Sequence, residues 1–275
     1  MEVFYVKKLA TIFAITVVSL SLLNVKVNAQ NISKPQVNLQ EQNTMSVLWF
    51  QKAGESKALY YQGYNIGKMR LDDILSKNIK KKGFKPAVIL DIDETIVDSS
   101  PLYAWNIHTG KASPWEKWIE KAKAKALPGA VEFLKYADSK GVEIYYISNR
   151  KEAQKEETIR NLKQIGAPQV DAEHVLLQQP GERGKETRRQ SVATTHKIVL
   201  LFGDNLGDFN GFDDLSVSGR ILEVDRRRDE FGKKLIIFPN PMYGNWEEAI
   251  YNYSSSKSDA EKEKLRKESL EKFHP

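Results

Sequence analysis

Two short runs in this chain, Ala87–Leu90 and Ile198–Phe202, are apolar without interruption, and a third, Val142–Ile147, is broken only by Glu143. A strand with one wet face alternates polar and apolar residues. A continuous run needs cover on both faces, as in a parallel sheet between layers of helix. Further strands are expected at His174–Leu177, where the signal is weak, and at Leu235–Phe238. Between the runs, helical spacing covers Gly129–Ser139 and Lys151–Ile165, and Gly166 and Pro168 stop the second of these. The expected fold class is α/β, a three-layer parallel sheet.

The chain has 275 residues, enough for one large domain with an accessory region, and no internal repeat is visible. Residues 1–29 read as a signal peptide: Lys7 and Lys8 precede an apolar run from Leu9 to Leu23, and Val27-Asn28-Ala29 supplies the small residues a signal peptidase needs. A retained membrane helix is the alternative, but Thr11, Thr16, Ser19 and Ser21 interrupt the run and it is short for a bilayer. The chain has no cysteine, so neither disulfides nor a lipid-anchored cleavage site is available. The expected product is a bacterial protein, secreted or periplasmic, with no membrane anchor after cleavage.

Cleavage would remove three lysines and one glutamate, lowering the formal charge from +6 to +4. A mildly basic balance suits anionic small substrates, whereas a nucleic-acid polymer calls for a concentrated basic stripe. Arg226-Arg227-Arg228, between Asp225 and Asp229, reads as a solvated turn.

Residues 30–85 hold two amino-terminal helices, and residues 86–250 form the core. An insertion at about 99–127, with Trp105, Trp115 and Trp118, sits where a helical cap would lie over a site. Residues 251–275 form a charged carboxyl-terminal helix whose thin apolar stripe, Leu265, Leu270 and Phe273, is expected to pack on the surface or on the amino-terminal helices.

Open parallel sheets bind ligands beyond the carboxyl ends of their strands. The polar residues there are Asp91-Ile92-Asp93-Glu94-Thr95, Ser148-Asn149-Arg150 and Gly203-Asp204-Asn205-Leu206-Gly207-Asp208. Asp91, Asp93, Asp204 and Asp208 gathered at one edge would repel one another unless a cation neutralised them, and oxygen ligands in that number select Mg²⁺. Such a cation commonly shares a phosphate, which points to phosphoryl chemistry. Asp91, last on its strand, is the candidate nucleophile, and Asp93 the candidate acid and base. Ser148 and Asn149 could hold phosphate oxygens, and Lys185 in "GERGKETRR" could balance their charge. The competing reading of Lys185 is a solvent lysine among Arg183, Arg188 and Arg189. Asp98 and Asp171 read as turn or cap residues, the four histidines show no ligand spacing, and Glu94 receives no catalytic part.

The set Asp91-x-Asp93-x-Thr95, Ser148, Lys185 and Gly203 to Asp208 resembles the four motifs of the haloacid dehalogenase superfamily. "ILDIDETIVDSSPLY" and "LFGDNLGDF" resemble the paired signatures of the class C bacterial acid phosphatases, and "ALYYQGYN", "ALPGAVEFLKYADSKG", "YYISNRK" and "FPNPMYGNWE" extend the likeness over nearly all of the mature chain. The resemblance implies a Rossmann-like core with a small α-domain and Mg²⁺-dependent hydrolysis of phosphomonoesters at acid pH, nucleoside 5′-monophosphates included. On that reading Asp91 and Asp204 ligate the metal, Asp93 does so through its backbone carbonyl, and Asp208 ligates it or supports a ligand. Gly207, where family members often have aspartate, and Tyr103, offset by one, are departures that bear on the cap rather than on the carboxylates.

Trp105, Tyr243 and Trp246 offer stacking surfaces for a base or aryl group, with core packing as the commoner fate of a tryptophan. The partners expected are small phosphomonoesters, and a homodimer is compatible with the reading. A phosphotransferase of the same fold, or a catalytically idle phosphate-binding protein, would share most of these residues.

Overall fold

A computed structural model describes residues 38–78 and 82–275. The segment read as a signal peptide, residues 1–29, lies outside the described residues, as do residues 30–37. Helices α1 (Thr44–Lys52) and α2 (Gly54–Asn78) precede strand β1 (Pro86–Leu90). The insertion follows as β2 (Val97–Asp98), α3 (Ser100–Thr109), α4 (Trp115–Lys121) and β3 (Lys125–Ala126), with β2 and β3 paired antiparallel at its base. The core continues through α5 (Ala130–Ser139), β4 (Glu143–Lys151), α6 (Lys155–Gln164), β5 (Val175–Gln178), α7 (Glu186–Ala193), β6 (Lys197–Gly203), α8 (Val217–Arg226) and β7 (Leu235–Ile237). Helices α9 (Asn245–Ile250) and α10 (Asp259–Glu268) close the chain.

Five strands form one sheet in the order β5-β4-β1-β6-β7, parallel at every pairing. All five residues of β1 are buried, as an uninterrupted apolar run requires of the central strand. One face is filled by Tyr64, Phe133, Phe202 and Phe238; Tyr64 lies 4.6 Å from Phe238 and 5.6 Å from Phe133 between ring centroids. The α2 sequence "YYQGYNIG" permits this approach. A methyl group added at Gly63 would strike the Phe238 ring, and one at Gly67 would lie 2.6 Å from Phe202. The opposite face is packed by Ile147, Val192, Leu201, Phe209 and Phe212.

The carboxyl-terminal helix meets the amino-terminal segment through polar groups rather than through its apolar stripe. Arg266 donates to Gln42 Oε1 at 2.9 Å and Gln42 donates to Glu263 at 3.1 Å, while Leu270 and Phe273 are exposed. Arg227 also departs from the solvated-turn reading: it is buried, donating to the Asn210 carbonyl at 2.5 Å and to Glu230 at 2.8 Å.

Candidate active site

The segment after β1 makes a tight turn. Ile96 and Val97 both donate their N–H to the Ile92 carbonyl, and Glu94 takes a left-handed backbone conformation at φ +53°. This turn is supported from α2, where Tyr60 OH donates to the Glu94 carbonyl and Tyr64 OH to the Thr95 carbonyl at 2.7 Å. Its first aspartate stays on the sheet axis, with Asp91 N–H bonded to the Phe202 carbonyl of β6 at 3.0 Å.

Carboxylate oxygens of Asp91, Asp204 and Asp208 lie within 4.8 Å of one another. Lys185, buried at the start of α7, donates to Asp91 and, at 2.6 Å, to Asp208. Asn240 donates to Asp204 at 2.8 Å and Thr95 Oγ1 does so at 3.2 Å. Gly203 is needed at the end of β6, because a Cβ there would collide with the Asp208 carboxylate.

Burial raises the Asp91 carboxyl to about 7 against the pull of Lys185, with Asp208 and Asp93 adding to the rise. Asp204 is raised for the same reasons, burial first and then Asp208 and Asp91. For Lys185 burial would lower the ammonium, but Asp208 and Asp91 outweigh it and hold it above its ordinary value. Three carboxylates against one lysine leave a local excess of negative charge in a low dielectric, and that donor set fits a divalent cation.

Asp93 does not join them. The sequence reading gathers four carboxylates; the structure gathers three and gives the fourth a partner of its own. Arg150, buried after Ser148 and Asn149, donates to both Asp93 oxygens at 2.8 and 2.7 Å, and to Thr158 at 3.2 Å. A bidentate guanidinium satisfies this carboxylate, which stands outside the three-carboxylate group but lines the same cavity.

These residues open onto a cavity of about 330 Å³ lined by Asp91, Asp93, Ser148, Asn149, Lys185, Asp204 and Asp208, with Tyr103, Trp115 and Tyr243 among its walls. Of the three aromatic candidates only Tyr243 is there, stacked on Tyr103 at 4.8 Å. Trp105 is exposed on α3 and does not line it. Trp246 lines a different, mostly apolar groove of about 730 Å³ with Val217, Ile221 and Leu270.

A profile of the haloacid dehalogenase superfamily, subfamily IIIB (acid phosphatase), matches residues 7–246. The chain belongs to this family. Among solved structures, this subfamily IIIB chain is similar to the class C acid phosphatase of Bacillus anthracis, 55% identical with a TM-score of 0.84 over 86% of this chain and 100% of that one. A second structure of that enzyme, with tungstate bound, matches at 56% identity over the same shares and with the same TM-score. A curated relative, vegetative storage protein 1 of Arabidopsis thaliana, is 28% identical over 165 residues, 56% of this chain; the chain spans about half of that relative's length, 54%.

Several residues that shape this subfamily IIIB site carry no signal in the sequence reading. Arg188 and Arg189, named only as neighbours in the competing solvent reading of Lys185, are buried; of those three arginines Arg183 is the exposed one. Arg189 donates to the Asp208 carbonyl at 2.9 Å. Glu94 is fully buried, accepts from the Ser99 N–H at 2.7 Å and from Tyr243 OH, and is pushed up to about 8, chiefly by burial and by Asp93. The alternation Asp-x-Asp-Glu hints at crowding here, but apart from Ser99 the partners Arg150, Lys185 and Tyr243 come from far along the chain.

Proposed function

We propose that the chain is an exported, Mg²⁺-dependent acid phosphatase that hydrolyses phosphomonoesters, nucleoside 5′-monophosphates among them. The observation that carries this is Asp91: a buried carboxylate at the end of the central strand, facing a cavity that Lys185, Asp204 and Asp208 also line. Membership of the acid phosphatase subfamily supports the same reading. Asp91, Asp204 and Asp208 would hold the cation, which when bound would neutralise phosphate charge.

Asp91 Oδ attacks phosphorus as the bond to the leaving oxygen breaks, and the proton that oxygen needs comes from Asp93. Water then displaces Asp91 from phosphorus and gives its proton to Asp93, so inorganic phosphate leaves and both aspartates return to their starting states. Ser148, Asn149 and Lys185 hold the non-bridging oxygens, a place that tungstate, a phosphate-like oxyanion, would also suit. Tyr103, Trp115 and Tyr243 line the cavity with aromatic surface for a base or aryl leaving group.

Initial rates against 5′-AMP, 3′-AMP, aryl phosphates and sugar phosphates, with Mg²⁺ and with chelator, test the reading. Chelator-sensitive release of phosphate, absent in Asp91→Asn, is expected; undiminished turnover by Asp91→Asn would refute the mechanism. No turnover on any ester would favour an idle role, of the kind the name of the storage relative suggests. Phosphate appearing on an added nucleoside instead of in solution would make the enzyme a phosphotransferase. Export predicts that the processed chain begins at Gln30, which amino-terminal sequencing checks.

A further inference from the structure

Helix α7 brings a second buried cation to the site. Arg188 uses all five of its N–H donors: Nε to Glu182 at 3.1 Å, Nη1 to the Ser148 carbonyl at 2.6 Å and the Leu176 carbonyl at 3.3 Å, Nη2 to Asn149 Oδ1 at 2.9 Å and the Gly184 carbonyl at 2.5 Å. It therefore ties Ser148 and Asn149 of β4 to Leu176 of β5 and to Glu182 and Gly184 just ahead of its own helix. A guanidinium has no acceptor, so the Asn149 atom facing it has to be the oxygen. The amide nitrogen of Asn149 is then left without a protein partner among the described residues, on a residue that lines the acidic cavity.

We propose that Arg188 is a positioning residue for phosphoryl transfer, which locks the irregular Ser148–Asn149 segment of β4 and presents the Asn149 amide nitrogen to the phosphoryl oxygens. The proposal rests on the phosphatase reading above and adds a residue that touches neither substrate nor cation. Lysine cannot replace it. An ammonium keeps the charge but offers three donors from one atom, and cannot span two strand ends and a side-chain amide together. Because the effect falls on the phosphoryl group, it should be indifferent to the leaving group.

Three variants, Arg188→Lys, Asn149→Ala and the double, are compared by kcat/KM on p-nitrophenyl phosphate and 5′-AMP, and by the Kd of inorganic phosphate from calorimetry. Arg188→Lys should lower kcat/KM roughly 10- to 100-fold, by the same factor on both esters, and weaken phosphate binding. Its affinity for Mg²⁺ should stay within about twofold of wild type, which a merely loosened fold would not allow. The double variant should fall no further than Asn149→Ala alone, since one residue acts through the other. Multiplying losses, or full activity in Arg188→Lys, would overturn the assignment. Asn149→Asp guards against a variant that does not fold: it still accepts from Arg188 but has no donor for phosphate, so wild-type phosphate binding there would also overturn it. A wild-type protein that hydrolyses nothing sinks the phosphatase reading itself, whereas an active wild type with multiplying losses sinks this assignment alone.

Discussion

Asp91 and Asp93 leave the same strand end two residues apart, and the structure treats them in opposite ways. Asp91 shares one lysine with Asp208 and lies beside Asp204 in a group whose charges do not balance. Asp93 has Arg150 to itself, bonded at both oxygens. An unbalanced group needs something from outside to complete it, while a balanced pair is complete within the chain. The difference separates a group of carboxylates that fits a cation from a carboxylate already paired within the chain.

The largest expected effect breaks the pair by function. Asp91→Asn should lower turnover by at least about 10³-fold on every ester, whereas Asp93→Asn should cost roughly 10²- to 10⁴-fold on alkyl phosphates and less on p-nitrophenyl phosphate, whose leaving group needs little protonation. Equal losses on both esters in Asp93→Asn would remove the distinction. Rates across a series of leaving groups decide.

Next comes charge balance. Arg150→Met and Lys185→Met each strand a buried carboxylate, and each should lower the metal-free melting temperature by roughly 10 °C. Millimolar Mg²⁺ should restore much of the loss in Lys185→Met and little in Arg150→Met. Equal rescue of both, read by thermal melts, would show that the two regions are not separate.

A smaller effect follows from pH. Asp91 at about 7 and Glu94 at about 8 hold protons that the unfolded chain, with ordinary values near 4, has already released. Metal-free stability should therefore fall as pH climbs from about 4 to about 8. His174 adds a loss of the same sign: burial works against its charge, but Glu143 and Asp171 raise it above its ordinary value, and that help disappears as it deprotonates. Mg²⁺ should flatten the Asp91 share and leave the His174 share untouched. Melts at about pH 5 and about pH 8, with and without the cation, measure both.

The smallest expected effect is Tyr243→Phe, which removes the hydroxyl that Glu94 accepts from. It should cost about 1 to 3 kcal/mol, measurable by denaturant melts, and shift the pH profile of stability more than that of turnover.

The sheet was legible because its strands are extreme. Ala87–Leu90 and Ile198–Phe202 announce themselves by lacking alternation, and even the faint His174–Leu177 signal lies on β5, one residue early. The strand-end aspartates were legible for the same reason, since a charge that ends a buried run has to be held there by a partner or a ligand. What stayed hidden depends on distant groups. "GERGKETRR" looks like a solvated charge run because nothing local reveals that carbonyls of Ser148, Leu176 and Asp208 will receive Arg188 and Arg189. The tryptophans failed differently: the phase of two short cap helices decides that Trp115 lines the cavity and Trp105 does not, and periodicity over so few turns does not fix phase.

Tyr60 and Tyr64 support the turn at Glu94 and Thr95 from 34 and 31 residues upstream, and Asn240 holds Asp204 from 36 residues downstream. During synthesis the first emerge early and must wait, and the last arrives with only the final helices still to come. A nascent chain cut before residue 240 has every acidic residue of the site but lacks Asn240 on Asp204 and Tyr243 on Glu94, leaving Thr95 and Ser99 as their side-chain and backbone donors. Fragments ending there should be silent even when the sheet has formed, and should regain activity only when the missing tail is supplied as a separate peptide.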